Sequence, residues 1–298
     1  APGLAVGQHK IKYFVEDECG NITELTITVN VVDDVPPAVS CTEFTQVAIG
    51  AAGSAIVNAG TFDQGTYDNC CLDFFEVRRM NGLCNGQPDD FGPTVEFCCS
   101  DIGDTVTVVF RAHDCNKNSN DCMVQVFVED KIKPTCDAPA NVTVSCESFD
   151  PSLWAYGTAT SVDNCCLDTI TRTVSYNLFD TVCNRGTINR TFRAFDCAGN
   201  SSQCSQRIIV TYEQDYWIKF PNDVIVTKCD GTGTYGAPVF NNAQDCELMG
   251  VTFEDQVFTV VPDACFKIER TWTIINWCTY NTNGTCIIVP NPNPNAIV

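Results

Sequence analysis

The stretch Phe110-Arg111-Ala112-His113-Asp114-Cys115, followed by Asn118-Ser119 and Cys122, returns as Phe192-Arg193-Ala194-Phe195-Asp196-Cys197, followed by Asn200-Ser201 and Cys204. Cys197 stands 82 residues after Cys115, and Cys204 stands 82 after Cys122. A second block, Asp68-Asn69-Cys70-Cys71-Leu72-Asp73, returns 95 residues on as Asp163-Asn164-Cys165-Cys166-Leu167-Asp168. A weaker third copy of the first block closes on Trp277-Cys278 and Cys286. Self-similarity at this period is the signature of tandem domains. Around the blocks, Leu25–Val31, Thr105–Phe110 and Met123–Val128 are strand-like, two of them alternating cleanly. Apolar residues at every second position belong to half-buried strands, and helical periodicity is almost absent.

Each final strand runs into acids and then proline, as in Asp33-Asp34-Val35-Pro36-Pro37 and Glu129-Asp130-Lys131-Ile132-Lys133-Pro134. A third, degenerate case has Glu213 and Asp215 with Pro221 further on. Proline cannot donate to a strand ladder, so it ends pairing and stiffens a short link. These stops divide the chain into the last strands of a partial Ig-like domain (1–34), three whole Ig-like domains (35–130, 131–214 and 215–289) and a Pro/Asn linker (290–298). Units of this length, built of short alternating strands with turn signals between them, predict an all-β chain. Its architecture is tandem Ig-like Greek-key β-sandwich domains stapled by disulfides.

Twenty-one cysteines in 298 residues contain no Cys-x2-Cys pair, and there are only two histidines, His9 and His113. Structural zinc needs paired ligands at short spacing, so disulfides are the reading and an extracellular or cell-surface location follows. A net charge of −20 disfavours nucleic acid and anionic lipid as partners, and favours divalent cations. No apolar run is long enough to insert this segment into a membrane. Its start lacks the pattern of a signal peptide, which predicts a mature chain or an internal piece of a longer one.

The run Pro134-Thr135-Cys136, then Asn141-Val142-Thr143-Val144-Ser145-Cys146, then Asp163-Asn164-Cys165, then Arg190-Thr191-Phe192 and Gly199-Asn200, then Ile208-Ile209-Val210 resembles HYR-type Ig-like repeats. Residues 131–214 match best. The unit 215–289 keeps Arg270-Thr271-Trp272 and Ile287-Ile288-Val289 but carries Asn276-Trp277-Cys278 in place of the Asp-Cys motif. The resemblance implies a giant secreted surface adhesin of Bacteroidota, exported by the type IX pathway. It also implies a gliding adhesin or prey-capture appendage bundled from several copies.

Recurrence of short cysteine intervals predicts hairpin staples Cys115–Cys122, Cys197–Cys204 and Cys278–Cys286. Each would contribute roughly 2–3 kcal/mol by the chain-entropy estimate. Alignment of the repeats adds Cys146–Cys165, Cys229–Cys246 and Cys166–Cys183. Vicinal cysteines on a strand face opposite ways, so each pair splits between two partners. Pairing inside 41–99 stays open. The odd total leaves at least one free thiol, with Cys19 and Cys265 as candidates; it either joins copies in a filament or reflects truncation or burial.

Asp33, Asp34, Glu129, Asp130, Glu213 and Asp215 crowd the strand ends. They are candidate ligands for Ca²⁺ at domain junctions, since hard cations take oxygen donors; the alternative is an acidic edge that blocks strand pairing. Trp154, Trp217, Trp272 and Trp277 either stack on sugar or, more in keeping with their numbers, fill cores and joints. Asn21, Asn141, Asn189, Asn200 and Asn283 open Asn-x-Ser/Thr sequons. Thr105, Thr169 and Thr181 stand in Asp-Thr-aliphatic triplets that resemble a bacterial O-glycosylation motif. His113 beside Asp114 mimics part of a catalytic triad, but Phe195 occupies its place in the next repeat. The chain is therefore read as non-catalytic: a structural, adhesive segment of a long extracellular fibre or surface appendage. Its expected partners are other copies or adjacent repeats and a cell-surface or glycan ligand. Carbohydrate-binding or accessory repeats of a secreted multidomain protein are the alternative.

Overall fold

A computed structural model describes residues 3–84, 86–230, 233, 235–241, 243, 246–259 and 265–290. The expected linker over 290–298 lies, apart from Pro290, outside the described residues. The chain is all-β, with four short 3₁₀ turns among the described residues, at Ala59–Phe62, Cys99–Asp101, Cys146–Ser148 and Trp154–Tyr156. It folds as two compact units. The first comprises Ala1–Thr135 with Ser161–Thr169 and Ala194–Ser202; the second comprises Cys136–Thr160, Ile170–Arg193 and Gln203–Val298.

In the first unit, β1 (Gly7–Glu16) and β2 (Ile22–Val31) form an antiparallel ladder from Gly7↔Val31 to Glu16↔Ile22. Six further strands follow: β3 (Phe44–Ala48), β4 (Ser54–Asn58), β5 (Leu72–Arg79), β6 (Thr94–Cys98), β7 (Thr105–Asp114) and β8 (Ser119–Glu129). One sheet has the order β3-β8-β7-β5, and β4 pairs with β6 in another. Consecutive strands from β3 to β7 thus alternate between the sheets, while β7 and β8 form a hairpin. The first strand of the larger sheet, β3, lies parallel to its last, β8, with Phe44 opposite Gln125.

The alternation in the sequence explains the packing. Val106, Val108, Phe110 and Ala112 on β7 and Val124, Val126 and Val128 on β8 turn inward, as the period-two pleat requires. They meet Val95 and Phe97 of β6 and Val77 of β5 in a single buried cluster. Two sheets with one shared core make a β-sandwich.

The repeat block carries the same arrangement into the next sheet: β9 (Val142–Ser145), β10 (Leu167–Asp180), β11 (Arg185–Asp196) and β12 (Ser201–Thr211). Its order is β10-β11-β12-β9, again with the first strand parallel to the last, Val142 opposite Ile208. In the second unit, Ile188, Ile208 and Val210 form the core with Leu153 and the half-cystines Cys146 and Cys246. Arg190 is fully buried there; its guanidinium donates to Gln206 Oε1 at 2.7 Å and to the Gly157 carbonyl at 2.8 Å. The same unit holds two more antiparallel pairs, β13 (Trp217–Lys219) with β14 (Val239–Asn241), and β15 (Met249–Phe258) with β16 (Lys267–Asn276). No helix among the described residues is long and apolar enough to cross a membrane.

Nine disulfides staple these sheets, and none of the six expected pairings is among them. Cys41–Cys122, Cys71–Cys115, Cys84–Cys98, Cys99–Cys165 and Cys166–Cys197 lie in the first unit. Cys136–Cys204, Cys146–Cys246, Cys183–Cys278 and Cys229–Cys265 lie in the second. The expected staple Cys115–Cys122 fails on register. His113 faces Ser119 and Phe110 faces Cys122, so Cys122 sits three rungs up the ladder while Cys115 stands in the turn. Three rungs are about 10 Å, beyond the roughly 7 Å that a disulfide can span between backbones.

Cys197 and Cys204 repeat this layout and also bond elsewhere, to Cys166 and Cys136. Cys278 bonds Cys183, and Cys286 is free. The expected Cys146–Cys165, Cys166–Cys183 and Cys229–Cys246 are likewise replaced, and the vicinal pair Cys70-Cys71 does not split between two partners, since only Cys71 is bonded. Cys166 finds Cys197 and Cys165 finds Cys99, which leaves Cys146 to Cys246 and Cys229 to Cys265. Cys265 is therefore bonded, while Cys19, Cys70 and Cys286 carry exposed free thiols.

Two aspartate clusters as candidate metal sites

The two repeat blocks do more than mark a period. Asp33 follows β2, Asp68 precedes the vicinal pair Cys70-Cys71, and Asp114 ends β7. These three each bring a carboxylate oxygen within 4.8 Å of the others. Asp130 after β8, Asp163 before Cys165-Cys166 and Asp196 at the end of β11 do the same. All six belong to the first unit.

Hydrogen bonding is duplicated position by position. Asp68 Oδ2 accepts from the backbone N–H groups of Cys70 at 2.8 Å and Cys71 at 3.0 Å; Asp163 Oδ2 accepts from Cys165 at 3.0 Å and Cys166 at 3.1 Å. Asn118 donates its backbone N–H to Asp114 Oδ1 and its amide to Oδ2, both at 2.7 Å. Asn200 does so to Asp196, at 2.7 and 2.8 Å. The same asparagine amides reach the carbonyls of Asp33 at 3.2 Å and Asp130 at 3.0 Å. A second amide closes each ring: Asn69 donates to Asp33 Oδ1 at 3.5 Å, and Asn164 to Asp130 Oδ1 at 3.4 Å. Gly53 has φ +79°, and a Cβ there would stand 3.1 Å from the Asn164 carbonyl, so a glycine at this turn admits the loop that carries the second cluster.

What remains is an unsatisfied set of oxygens. Asp68 Oδ1, Asp163 Oδ1 and Asn164 Oδ1 are buried and accept no hydrogen bond. Asp114, Asp196 and Asp130 are only 1%, 3% and 7% exposed. Among the described residues none of the six aspartates pairs with a lysine or arginine. Three carboxylates this close repel one another, and a buried charge without a counter-charge is costly. A buried acceptor left open in this way is a place for a water or an ion. An all-oxygen donor set suits a hard cation such as Ca²⁺.

At Asp33 desolvation acts to raise the carboxyl. Hydrogen bonds from the Val35 N–H and from Asn116, Cys70 and Asn69 outweigh it and hold the group below the usual carboxylate range. The neighbouring Cys70 thiol is pushed up, first by desolvation, then by its hydrogen bond to Asp33 and the charges of Asp33, Asp68 and Asp114. A small open cavity adjoins the second cluster, lined by Cys99, Ile102, Asp130, Cys165, Cys166 and Cys197.

Of the expected ligands, Asp33 and Asp130 join the clusters. Asp34 and Glu213 are exposed and in neither, and Glu129 pairs with Lys131. Asp215 falls into a third acidic group with Glu147 and Glu247, in the second unit. Beside that group Tyr212 is pushed up to about 12, chiefly by burial and then by the charge of Glu247. Asn276 stands where the earlier repeats have Asp114 and Asp196. Its amide donates to the Tyr212 hydroxyl at 3.3 Å and its Oδ1 accepts the Cys278 N–H at 3.0 Å. This end is thus chemically distinct from the other two. Asp68, Asp114, Asp163 and Asp196 are cluster members absent from the sequence candidates. The available signal is an acid at the same place in both copies of two different blocks.

The remaining sequence candidates are placed as follows. Thr105, Thr169 and Thr181 are exposed. Asn200 is committed to the second cluster through its amide. Trp154, Trp217 and Trp277 are exposed rather than filling a core. Trp154 faces Arg172, and Trp277 packs edge-on against Tyr280. His113 stacks on Phe74 with ring centroids 4.4 Å apart, and its Nε2 lies 2.9 Å from Glu76 Oε2.

No protein-family model matches the chain. Hyalin of Strongylocentrotus purpuratus is 32% identical over 168 residues, covering 53% of this chain and 13% of hyalin. The chain therefore spans a small part of the length of this relative. Among solved structures, protocadherin gamma C5 EC1-3 overlays with a TM-score of 0.32 at 15% identity, covering 69% of this chain and 78% of that one. The N-terminal four Ig domains of Dscam1 isoform 7.44 overlay with a TM-score of 0.29 at 8% identity, covering 68% and 54%.

Proposed function

We propose that this chain is a load-bearing, adhesive segment of an extracellular repeat protein, non-catalytic, whose repeat ends are closed by Ca²⁺. Duplication carries the reading. The same three aspartates, the same two asparagines and an equivalent disulfide recur in consecutive repeats, with open, buried oxygens in each cluster. In the first pocket Asp33, Asp68 and Asp114 would hold the cation; in the second, Asp130, Asp163 and Asp196 with Asn164 Oδ1. Bound there, Ca²⁺ would neutralise the crowded carboxylates and tie the segment leaving one repeat to the loops of the next, so that the joint resists bending.

Nine disulfides fit an oxidising compartment outside the cytosol. They also suit a mechanical role, because each bond limits how much chain is released when a domain is pulled open. The domain limits after residues 34, 130 and 214 belong to the same proposal. So do the fibre assembled from copies or adjacent repeats, its cell-surface or glycan ligand, and the finer roles of gliding or prey capture with type IX export. Pulling single molecules by their ends tests the mechanical core of the reading. Chelation should lower the unfolding force, and reductant should lengthen the extension per event. Force curves indifferent to both treatments would sink it.

A carbohydrate-binding role is the second reading, favoured by the exposure of Trp154, Trp217 and Trp277. Glycan-array binding that Trp154→Ala abolishes would establish that role instead.

A further inference from the structure

Each aspartate cluster shares its loops with a disulfide. In the first, Asp68 lies three residues before Cys71 and Asp114 lies immediately before Cys115, and Cys71 is bonded to Cys115. In the second, Asp163 lies three residues before Cys166 and Asp196 immediately before Cys197, and Cys166 is bonded to Cys197. One backbone hydrogen bond reinforces each bridge: the Cys115 N–H donates to the Cys71 carbonyl at 3.2 Å, and the Cys197 N–H to the Cys166 carbonyl at 3.1 Å. Two of the three carboxylates in each cluster are therefore carried on loops joined covalently right beside them. The third, Asp33 or Asp130, is held by asparagine amides rather than by a bridge.

We infer that cation binding and disulfide closure are thermodynamically linked in both pockets: each bridge assembles its Ca²⁺ site, and bound Ca²⁺ protects that bridge from reduction. This rests on the reading that the clusters hold Ca²⁺. With the bridge open, repulsion among the carboxylates drives the two loops apart, so part of the cation's binding energy goes into bringing them together. With the cation bound, the two aspartates hold the cysteines side by side, which raises the effective concentration of one thiol at the other and favours reclosure. Linkage is reciprocal, so the factor by which the bridge tightens Ca²⁺ is the factor by which Ca²⁺ shifts the thiol–disulfide equilibrium.

The redox step balances with a dithiol as reductant. One of its thiolates attacks a bridge sulfur and expels the other cysteine sulfur as thiolate. Its second sulfur then closes the reagent into a cyclic disulfide and frees the first cysteine. Two electrons and two protons pass from the dithiol to the cysteine pair.

The pockets differ in one respect. Cys165, whose N–H holds Asp163, is bonded to Cys99, whereas its counterpart Cys70 is free. The second pocket therefore keeps a covalent brace when Cys166–Cys197 opens, and the first keeps none when Cys71–Cys115 opens.

Calorimetric titration with Ca²⁺ alone tests the reading and the inference separately. The oxidised chain should take up two equivalents. Cys71→Ala with Cys115→Ala should weaken one site by roughly tenfold or more, and Cys166→Ala with Cys197→Ala should weaken the other by less. The second measurement uses the unaltered chain, so it holds even if a variant misfolds. Differential alkylation follows reduction by dithiothreitol with Ca²⁺ or with chelator. Cys71–Cys115 and Cys166–Cys197 should resist reduction when Ca²⁺ is present. Cys84–Cys98, which contributes to neither cluster, should not respond. No Ca²⁺ uptake by the oxidised chain would overturn the reading itself. Two equivalents with unchanged affinity in both variants, or equal protection of all three bridges, would overturn the linkage and leave the reading standing.

Discussion

Cys70 carries an exposed, unbonded thiol within a field of carboxylates. Desolvation and then its hydrogen bond to Asp33 and the negative charges around it raise its pKa. A divalent cation in that cluster cancels the charge, so the thiol pKa falls and the thiolate fraction rises at fixed pH. Iodoacetamide should therefore alkylate Cys70 several-fold faster in Ca²⁺ than in chelator at about pH 8. Asp114→Asn should speed the reaction without Ca²⁺, and Cys286 should be unaffected. Equal Cys70 rates in both solutions would argue against a cation beside it. At this scale part of the site is legible in the sequence. Asp33 and Asp130 stand out because prolines mark the strand ends they follow. Asp34 and Glu129 look equivalent to them, but neighbouring side chains on an extended segment point opposite ways. Asp68 and Asp114, 46 residues apart in sequence, meet only when β5 and β7 lie side by side. No local pattern announces that meeting.

The strands set the next level of constraint. Arg79 at the end of β5 and Asp101 in the turn after β6 form a buried two-pronged pair, with N–O distances of 2.9 and 2.6 Å. The guanidinium also donates to the Glu96 carbonyl at 3.0 Å and lies over the Phe97 ring. Removing one partner strands a charge in the core, so Asp101→Ala should cost about 3–5 kcal/mol of stability. Denaturant unfolding of the variant checks this, and an unchanged midpoint would mean that the charge finds water. The alternation of β2 and β8 is readable from sequence because apolar residues recur at every second position in each. The parallel pairing of β3 with β8 is not, since strands that far apart in sequence leave no turn signal between them. The disulfides escape sequence reasoning for a related reason. Short spacing suggests proximity, whereas register decides which residues stand opposite, and only the folded ladder fixes register.

At the level of the whole molecule, acid should be destabilising. Side-chain hydrogen bonds lower Asp17 through Asn21, Asp121 through Arg111, Asp150 through Ser152 and Asp255 through Arg270. A carboxyl lowered on folding contributes stability above its unfolded pKa of about 3.9 and loses that contribution as pH falls through its lower folded value. Thermal midpoints should thus hold near neutrality and fall as pH drops from about 5 towards 2. A midpoint flat across that window would show that these bonds are equally satisfied in the unfolded chain. The parallel β3–β8 pair has a different consequence. Chain enters this sandwich near β3 and leaves it from the end of β8, so tension along the backbone slides these neighbours past one another. The cross-strand bonds from Phe44 to Ala48 are then strained together rather than unzipped one after another. The pair β9–β12 repeats this geometry from Val142 to Ser145, so the shear clamp occurs twice along the chain, each time at the strand where the pull arrives.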